Sequence, residues 1–297
     1  MDYGQIINRS FEIAWKHKWL WVFGMFASSS FNTNFDSFGG NTSDPQIFNG
    51  IGFDPAILLP FLAVFAVWML IIIVCQIISD AALIDSINRI ERGGQYSFSI
   101  AFSNGLNFFL RLLGLNIVMF FITMIPITIT VLVLIALFAV DTAIGALSLL
   151  FFIPFFIFVM FIIVTIWQLA KRVLIVRNAS IADSISEGYY LLKTHFGKNL
   201  LMFLINIGFG ILFGIVLMVI FLMFGVPIAL VTDALGLSTI YAFLGAFLFA
   251  LPISLVIGGF TGTFSSSLYT IFYFRLVEPS QSTQVEIQNE PPPTTSV

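Results

Sequence analysis

The sequence predicts an all-α, polytopic membrane protein of about six transmembrane helices, built as three repeated units of an interfacial amphipathic helix plus a transmembrane hairpin. Three observations carry this expectation. Only 9% of the 297 residues are charged, 59% are hydrophobic and 36 are phenylalanine, whereas a soluble domain needs roughly 25% charged residues to coat its wetted surface. The mean hydropathy is correspondingly high, at +1.04. The apolar residues gather into runs that match the ~20-residue helix needed to cross about 30 Å of hydrocarbon. Finally, the basic residues fall on alternate connections between those runs, as the positive-inside rule requires.

Five runs are long enough without argument, at about 55–79, 112–140, 144–170, 200–230 and 240–260. A sixth, about 19–31, is shorter and ends in Ser28-Ser29-Ser30. Charge decides how to read it. If it crosses, the inner segments are the N-terminus, 80–111, 171–199 and the C-terminal end, and they hold all 12 Lys and Arg residues. The outer segments hold Asp36, Asp44, Asp54, Asp141 and Asp233 and no basic residue. If it were re-entrant, the polar loop 32–54 would lie inside without one basic residue. The expectation is therefore a multi-pass protein of the cell (inner) membrane with both termini cytoplasmic. A six-span domain occupies 1–276, and a disordered cytoplasmic tail, rich in Pro, Gln, Ser and Glu, occupies 277–297. No cleavable signal peptide is evident. The lone Cys75 lies in an apolar run and reads as a packing residue.

Repetition is the most informative pattern. Segments beginning at Asp2, Ser97 and Ser180, at intervals of 95 and 83 residues, read DYGQIINRSFEIAWKHKWLW, SFSIAFSNGLNFFLRLLGLN and SIADSISEGYYLLKTHFGKN. Each opens on a residue type that caps helix N-termini. Apolar residues then recur as Tyr3, Ile7, Phe11; Phe98, Phe102, Leu106; and Ile181, Ile185, Tyr189, a spacing that places each trio on one helical face. Gly114 and Asn116 align with Gly197 and Asn199, and His17 aligns with His195. The returning spans close on Arg89, Arg177 and Arg275. The repeat units are thus about 2–79, 97–177 and 180–275.

The span interiors are chemically bare. No ionisable residue lies deep in a run, which is where proton- and ion-coupled sites normally show themselves. The polar residues there are mild, Asn206 foremost, with Thr123, Thr128, Thr130, Thr165, Gln168 and Ser254. Asn206 reads as an interhelical hydrogen-bonding residue, and the GxxxG spacings Gly210/Gly214 and Gly258/Gly262 as close-packing faces. Prolines stand in four spans, at Pro126, Pro154, Pro227 and Pro252. The two histidines lack a companion carboxylate set for a metal. Neither a GxSxG elbow nor an HExxH pair occurs. The sequence therefore predicts no catalytic residue, no metal, no cofactor and no nucleic-acid partner.

What remains is the basic inner face: Lys16, Lys18, Arg89, Arg111, Lys171, Arg172, Arg177, Lys193, Lys198 and Arg275 are the candidates for contact with anionic headgroups. The partners expected are anionic lipids of the inner leaflet, a partner protein or a second copy of the chain. The alternative expectation is a transporter or permease for a small or lipidic solute, suggested by the prolines and the repeat.

The stretches FEIAWKHKWLWVFGMF and SISEGYYLLKTHFGKNLLMFLI resemble bacterial and archaeal polytopic membrane families of unknown function, one of them the glycerophosphoryl diester phosphodiesterase membrane domain. The resemblance covers roughly 1–276 and rests on an aromatic amphipathic helix, a Gly/Asn pair and a span. The catalytic domain fused to some members has no counterpart here. The resemblance thus implies a membrane module and no enzymatic residue.

Overall fold

The computed structural model describes residues 2–27, 55–94, 97–236 and 239–288. Among them the chain forms eight α-helices and no strand. They are α1 (Tyr3–Lys16), α2 (Leu20–Ala27), α3 (Pro55–Glu91), α4 (Phe98–Val140), α5 (Thr142–Val176), α6 (Ile181–Thr194), α7 (Phe196–Ala234) and α8 (Thr239–Gln288). Helix is the natural outcome for so apolar a chain. It satisfies every backbone group within its own segment, which lipid cannot do.

Five stretches are long and apolar enough to cross a membrane: Leu62–Glu91, Phe98–Val140, Thr142–Val176, Phe196–Thr232 and Leu251–Val277. At about 1.5 Å rise per residue even the last of these exceeds the hydrocarbon thickness. The short first run is helical over the 8 residues of α2, a rise of only about 12 Å. The rest of that run and the polar loop after it lie outside the described residues.

Prolines do not interrupt these helices. Pro60, Pro126, Pro154 and Pro227 all sit inside continuous helix, so the breaks that would build a carrier-type site are not made there. The hairpin between α4 and α5 turns on the single residue Asp141, whose carboxylate accepts from the amides of Ala143 and Ile144 and so caps α5. At the C-terminal end α8 runs on to Gln288, into the segment 277–297. Helix propagates from the packed stretch before it at little cost per residue. Residues 289–297 lie outside the described residues.

The chain divides into two compact units. One comprises Met1–Phe11, Leu110–Gly210 and Ser267–Val297. Its core is Leu112, Leu115 and Met119 of α4, Leu169, Val173 and Leu174 of α5, Leu191 and Leu192 of α6, and Leu268, Phe272 and Leu276 of α8. Here α5 packs on α6. The other comprises Glu12–Phe109 and Ile211–Ser266. Its core includes Leu20 and Phe23 of α2, Ala81 to Ile84 and Ile87 of α3, and Phe264 of α8, with α2 packed on α3. In both units burial is lopsided along the helices. In α5, Phe161 to Ile175 holds nearly all the buried residues, while Leu147, Leu150, Phe151 and Phe155 stand open. Apolar surface left open on one half of a long helix is what lipid covers.

Candidate functional site

Each amphipathic helix opens on its expected cap. The Gln5 amide donates to Asp2 Oδ1 at 3.2 Å, that of Ile100 to Ser97 Oγ at 3.3 Å and that of Asp183 to Ser180 Oγ at 3.2 Å. One otherwise orphaned donor is satisfied each time. With the cap counted as position 0, the apolar stripe falls at positions 1, 5 and 9, and it faces outward. Phe11, Phe98, Phe102, Leu106 and Tyr189 are 43–53% exposed, and Tyr3, Ile7, Ile181 and Ile185 are half-buried. The face turned to protein is a second one, at positions 4 and 8: Ile6 and Ser10, Ala101 and Gly105, Ser184 and Gly188, all buried.

Position 8 is small in every copy, and in the second and third another backbone passes there. A methyl group on Gly105 would lie 2.7 Å from the Ile78 carbonyl oxygen, and one on Gly188 3.1 Å from that of Ile166. Ile78 and Ile166 are 88 residues apart, the same displacement that relates Arg89 to Arg177. The second amphipathic segment therefore lies on α3, and the third on α5, in the same register. Position 1 meets another segment in two copies, at neighbouring but not matching positions. Ile181 abuts Gly114, and the Tyr3 hydroxyl donates to the Lys198 carbonyl at 3.5 Å. Burial of Tyr3 raises its phenol pKa above the ordinary value.

The first and third segments break after position 14, at the matched histidines. His17 follows α1, and His195 is the C-cap of α6, with φ −122° and ψ 39°. In the second copy Leu112 stands there and α4 continues unbroken. In both broken copies, the side chain at position 19 donates back to carbonyls beside the break. Trp21 Nε1 donates to the Ala14 carbonyl at 2.7 Å, while Asn199 Nδ2 donates to Leu191 and His195 carbonyls at 3.2 and 3.0 Å. In the unbroken copy Asn116 accepts from Trp167 Nε1 instead, at 2.9 Å. Burial, and then the charge of Lys198, holds the His195 pKa below its usual value.

The basic candidates occupy three kinds of place. Lys16, Lys18, Arg111, Arg177, Lys193 and Arg275 are exposed. Lys16 pairs with Glu12, Arg177 with Glu187, and Arg111 donates to Asn178 Oδ1. Lys18 lies 6.0 Å and the half-buried Lys171 4.9 Å from the centroids of Trp15 and Trp167, a cation–π arrangement suited to a membrane boundary. Arg89, also half-buried, is held by Asp85 at 2.8 Å, and Asp85 in turn accepts from Asn104 at 2.7 Å. Lys198 is half-buried, with Tyr3 on its carbonyl.

Arg172 departs from the headgroup reading. It is only 2% exposed, its guanidinium lies 5.1 Å from the Tyr269 ring centroid, and it donates to Gln168. It shares the inward stripe of α5 with Thr165 and Leu169, and counting basic residues in a segment cannot tell one helical face from another.

Small residues differ in the same way. Gly210 and Gly214 border open space, so a side chain there would meet nothing among the described residues. Gly258 and Gly262 are buried, and Asn206 is half-buried. The close crossings fall instead at Gly24 and Gly259. A methyl on Gly24 would overlap the Gly259 carbonyl and Thr263, and one on Gly259 would meet the Trp21 carbonyl. Thr263 also donates to the Leu20 carbonyl at 3.1 Å.

Among the described residues no group of three His, Cys, Asp or Glu side chains is arranged to hold a metal. No family model, curated protein or solved structure matches the chain.

Proposed function

We propose that this chain is a non-enzymatic, six-span protein of the cell (inner) membrane, with both termini cytoplasmic and three repeated units, whose basic interfacial helices bind anionic lipid. The observation that carries the reading is the two-faced character of the amphipathic segments. One face packs on the protein through small residues. The other leaves an aromatic stripe open, with Lys16, Lys18, Arg111 and Lys193 close by on the same segments. Such a helix lies in the headgroup plane with its stripe in the acyl boundary. Each basic residue at that level contributes about 1 kcal/mol of attraction to an anionic leaflet.

Two contacts support the sixth crossing. Tyr3 reaches the start of α7, so the N-terminus belongs with the inner ends. Leu20 meets Thr263 and Gly24 meets Gly259, so α2 runs antiparallel to the inward-going α8, which is the direction an outward crossing requires. The matched contacts at position 8 of the second and third segments support the repeat.

Lipid retention tests the function. The full-length protein, reconstituted in mixed neutral and anionic lipid and re-extracted, is expected to retain anionic lipid above its bulk share. Replacing Lys16, Lys18, Arg111 and Lys193 with glutamine is expected to abolish the enrichment. Retained lipid that mirrors the bulk composition in the unaltered protein would sink the proposal.

A further inference from the structure

Three polar side chains gather where the third copy leaves its interfacial helix, and two of them replace leucines. Position 18 is Leu20 in the first segment and Leu115 in the second, both fully buried, but it is Lys198 in the third. Position 15 is the buried Leu112 in the second segment and His195 in the third, and position 19 of the third is Asn199. These three follow the i, i+3, i+4 spacing that shares one helical face. His195 and Lys198 are half-buried, and the lysine is near enough for its charge to act on the imidazole. Among the described residues Lys198 forms no ion pair and the His195 ring makes no hydrogen bond.

The backbone points the same way. Helix α7 starts afresh at Phe196, so its first amides lack an acceptor within the helix and its dipole favours negative charge there. Gly197 adds no side chain, and a methyl group on it would meet nothing within 4 Å. Asn199 supplies an independent sign of a ligand. It is 1% exposed, and its Nδ2 is held at the break by the Leu191 and His195 carbonyls, while its buried Oδ1 has no hydrogen-bond partner among the described residues. An acceptor so placed is costly unless a donor reaches it. A lysine in a half-buried place that two copies fill with leucine is costly too, unless an anion accompanies it.

We infer that His195, Lys198 and the first turn of α7 bind a phosphate group that carries a hydroxyl, either hydrogen phosphate or the headgroup of phosphatidylglycerol. The phosphate oxygens accept from the Lys198 ammonium, the imidazole and the first amides of α7, in charge-assisted bonds. The hydroxyl donates to Asn199 Oδ1, the one member of the group that needs a donor. The inference rests on the repeat and lipid reading above and names a site apart from the four basic residues tested there.

The test uses the full-length protein in a neutral detergent and follows its melting temperature against added phosphatidylglycerol, phosphatidylcholine or inorganic phosphate. A ligand that binds only the folded state raises that temperature as its occupancy grows. The expected result is a rise with phosphatidylglycerol, with inorganic phosphate or with both, and none with phosphatidylcholine, whose headgroup is zwitterionic and has no hydroxyl. A rise with the lipid alone identifies a headgroup site, and a rise with inorganic phosphate identifies a phosphate site open to the solution. K198Q is expected to weaken the apparent affinity at least about tenfold. K198L is the decisive variant, because it restores the leucine of the other two copies. It is expected to melt no lower than the unaltered protein without ligand and to ignore both anions. In H17Q, where His195 is the one histidine left, the bound anion is expected to raise the His195 pKa by about 1, read from its ring NMR signal, because a nearby negative charge favours the imidazolium. An unaltered protein that ignores both anions overturns the inference, as does an undiminished response in K198L, an equal response to phosphatidylcholine or a His195 signal that does not move. Lipid retention through Lys16, Lys18, Arg111 and Lys193 is measured separately, so loss of this site and loss of the lipid reading are distinguishable.

Discussion

Asn199 illustrates how much one side chain carries here. It is 1% exposed, and its Nδ2 adds a second bond to the Leu191 and His195 carbonyls, which also accept the His195 and Asn199 amides. Losing an intramolecular hydrogen bond of this kind costs about 0.5–1.5 kcal/mol. Asn199→Leu is therefore expected to lower the melting temperature in detergent clearly more than Asn116→Leu, which releases only the Trp167 indole. Equal effects would count against the capping role. His195, one turn earlier, adds a pH dependence. Its folded pKa lies below its unfolded one, so the unfolded state binds more protons in the window between them, and its contribution is complete above about pH 6.5 and is lost as pH falls. His195→Gln should flatten the part of the stability profile that lies below about pH 6.5, and an unchanged slope would remove His195 as its cause. The three N-caps were legible because capping needs only the residue and its neighbours three positions on. The Asn199 role was not. The Gly-x-Asn coincidence was visible, but which carbonyls it serves depends on a helix break that only the fold supplies.

At the level of elements, the paired apolar stripe was legible and its orientation was not. A 3.6-residue period marks a face without naming what covers it. In a membrane protein the most apolar face belongs to lipid, and the protein-facing side is marked by small residues. Ser10, Gly105 and Gly188 are that mark, and they do not register as hydrophobic periodicity. The GxxxG spacings do not sort by packing: Gly210 and Gly214 border open space among the described residues, Gly258 and Gly262 are buried, and Gly24 and Gly259, which form no such motif with each other, cross closely. Gly24→Ala should thus destabilise the protein by about 1–3 kcal/mol, the usual cost of overpacking, while Gly214→Ala should be neutral. Melting both variants in one detergent checks this, and a Gly214→Ala penalty as large as that of Gly24→Ala would overturn the assignment.

For the whole molecule, charge distribution says more than hydropathy. Hydropathy recognises five spans readily, and those five are the apolar helices α3, α4, α5, α7 and α8. With five crossings alone the termini would lie on opposite sides. The proposal that they lie on the same side, with a sixth crossing that includes α2, rests on the segregation of the 12 basic residues and on the Tyr3 contact at the start of α7. That argument has a direct measurement. In a Cys75→Ser background, single cysteines at Asp2, Asp141 and Lys193 are probed in intact cells with a membrane-impermeant thiol reagent. Asp141→Cys is expected to label from outside, while Asp2→Cys and Lys193→Cys should label only after permeabilisation. Labelling of Asp2→Cys in intact cells would place the N-terminus outside and reduce the protein to five crossings. It would also strip α1 of its access to the inner leaflet, so the same result would remove Lys16 and Lys18 from the lipid-binding face. Topology and function are therefore linked through one residue at the very start of the chain.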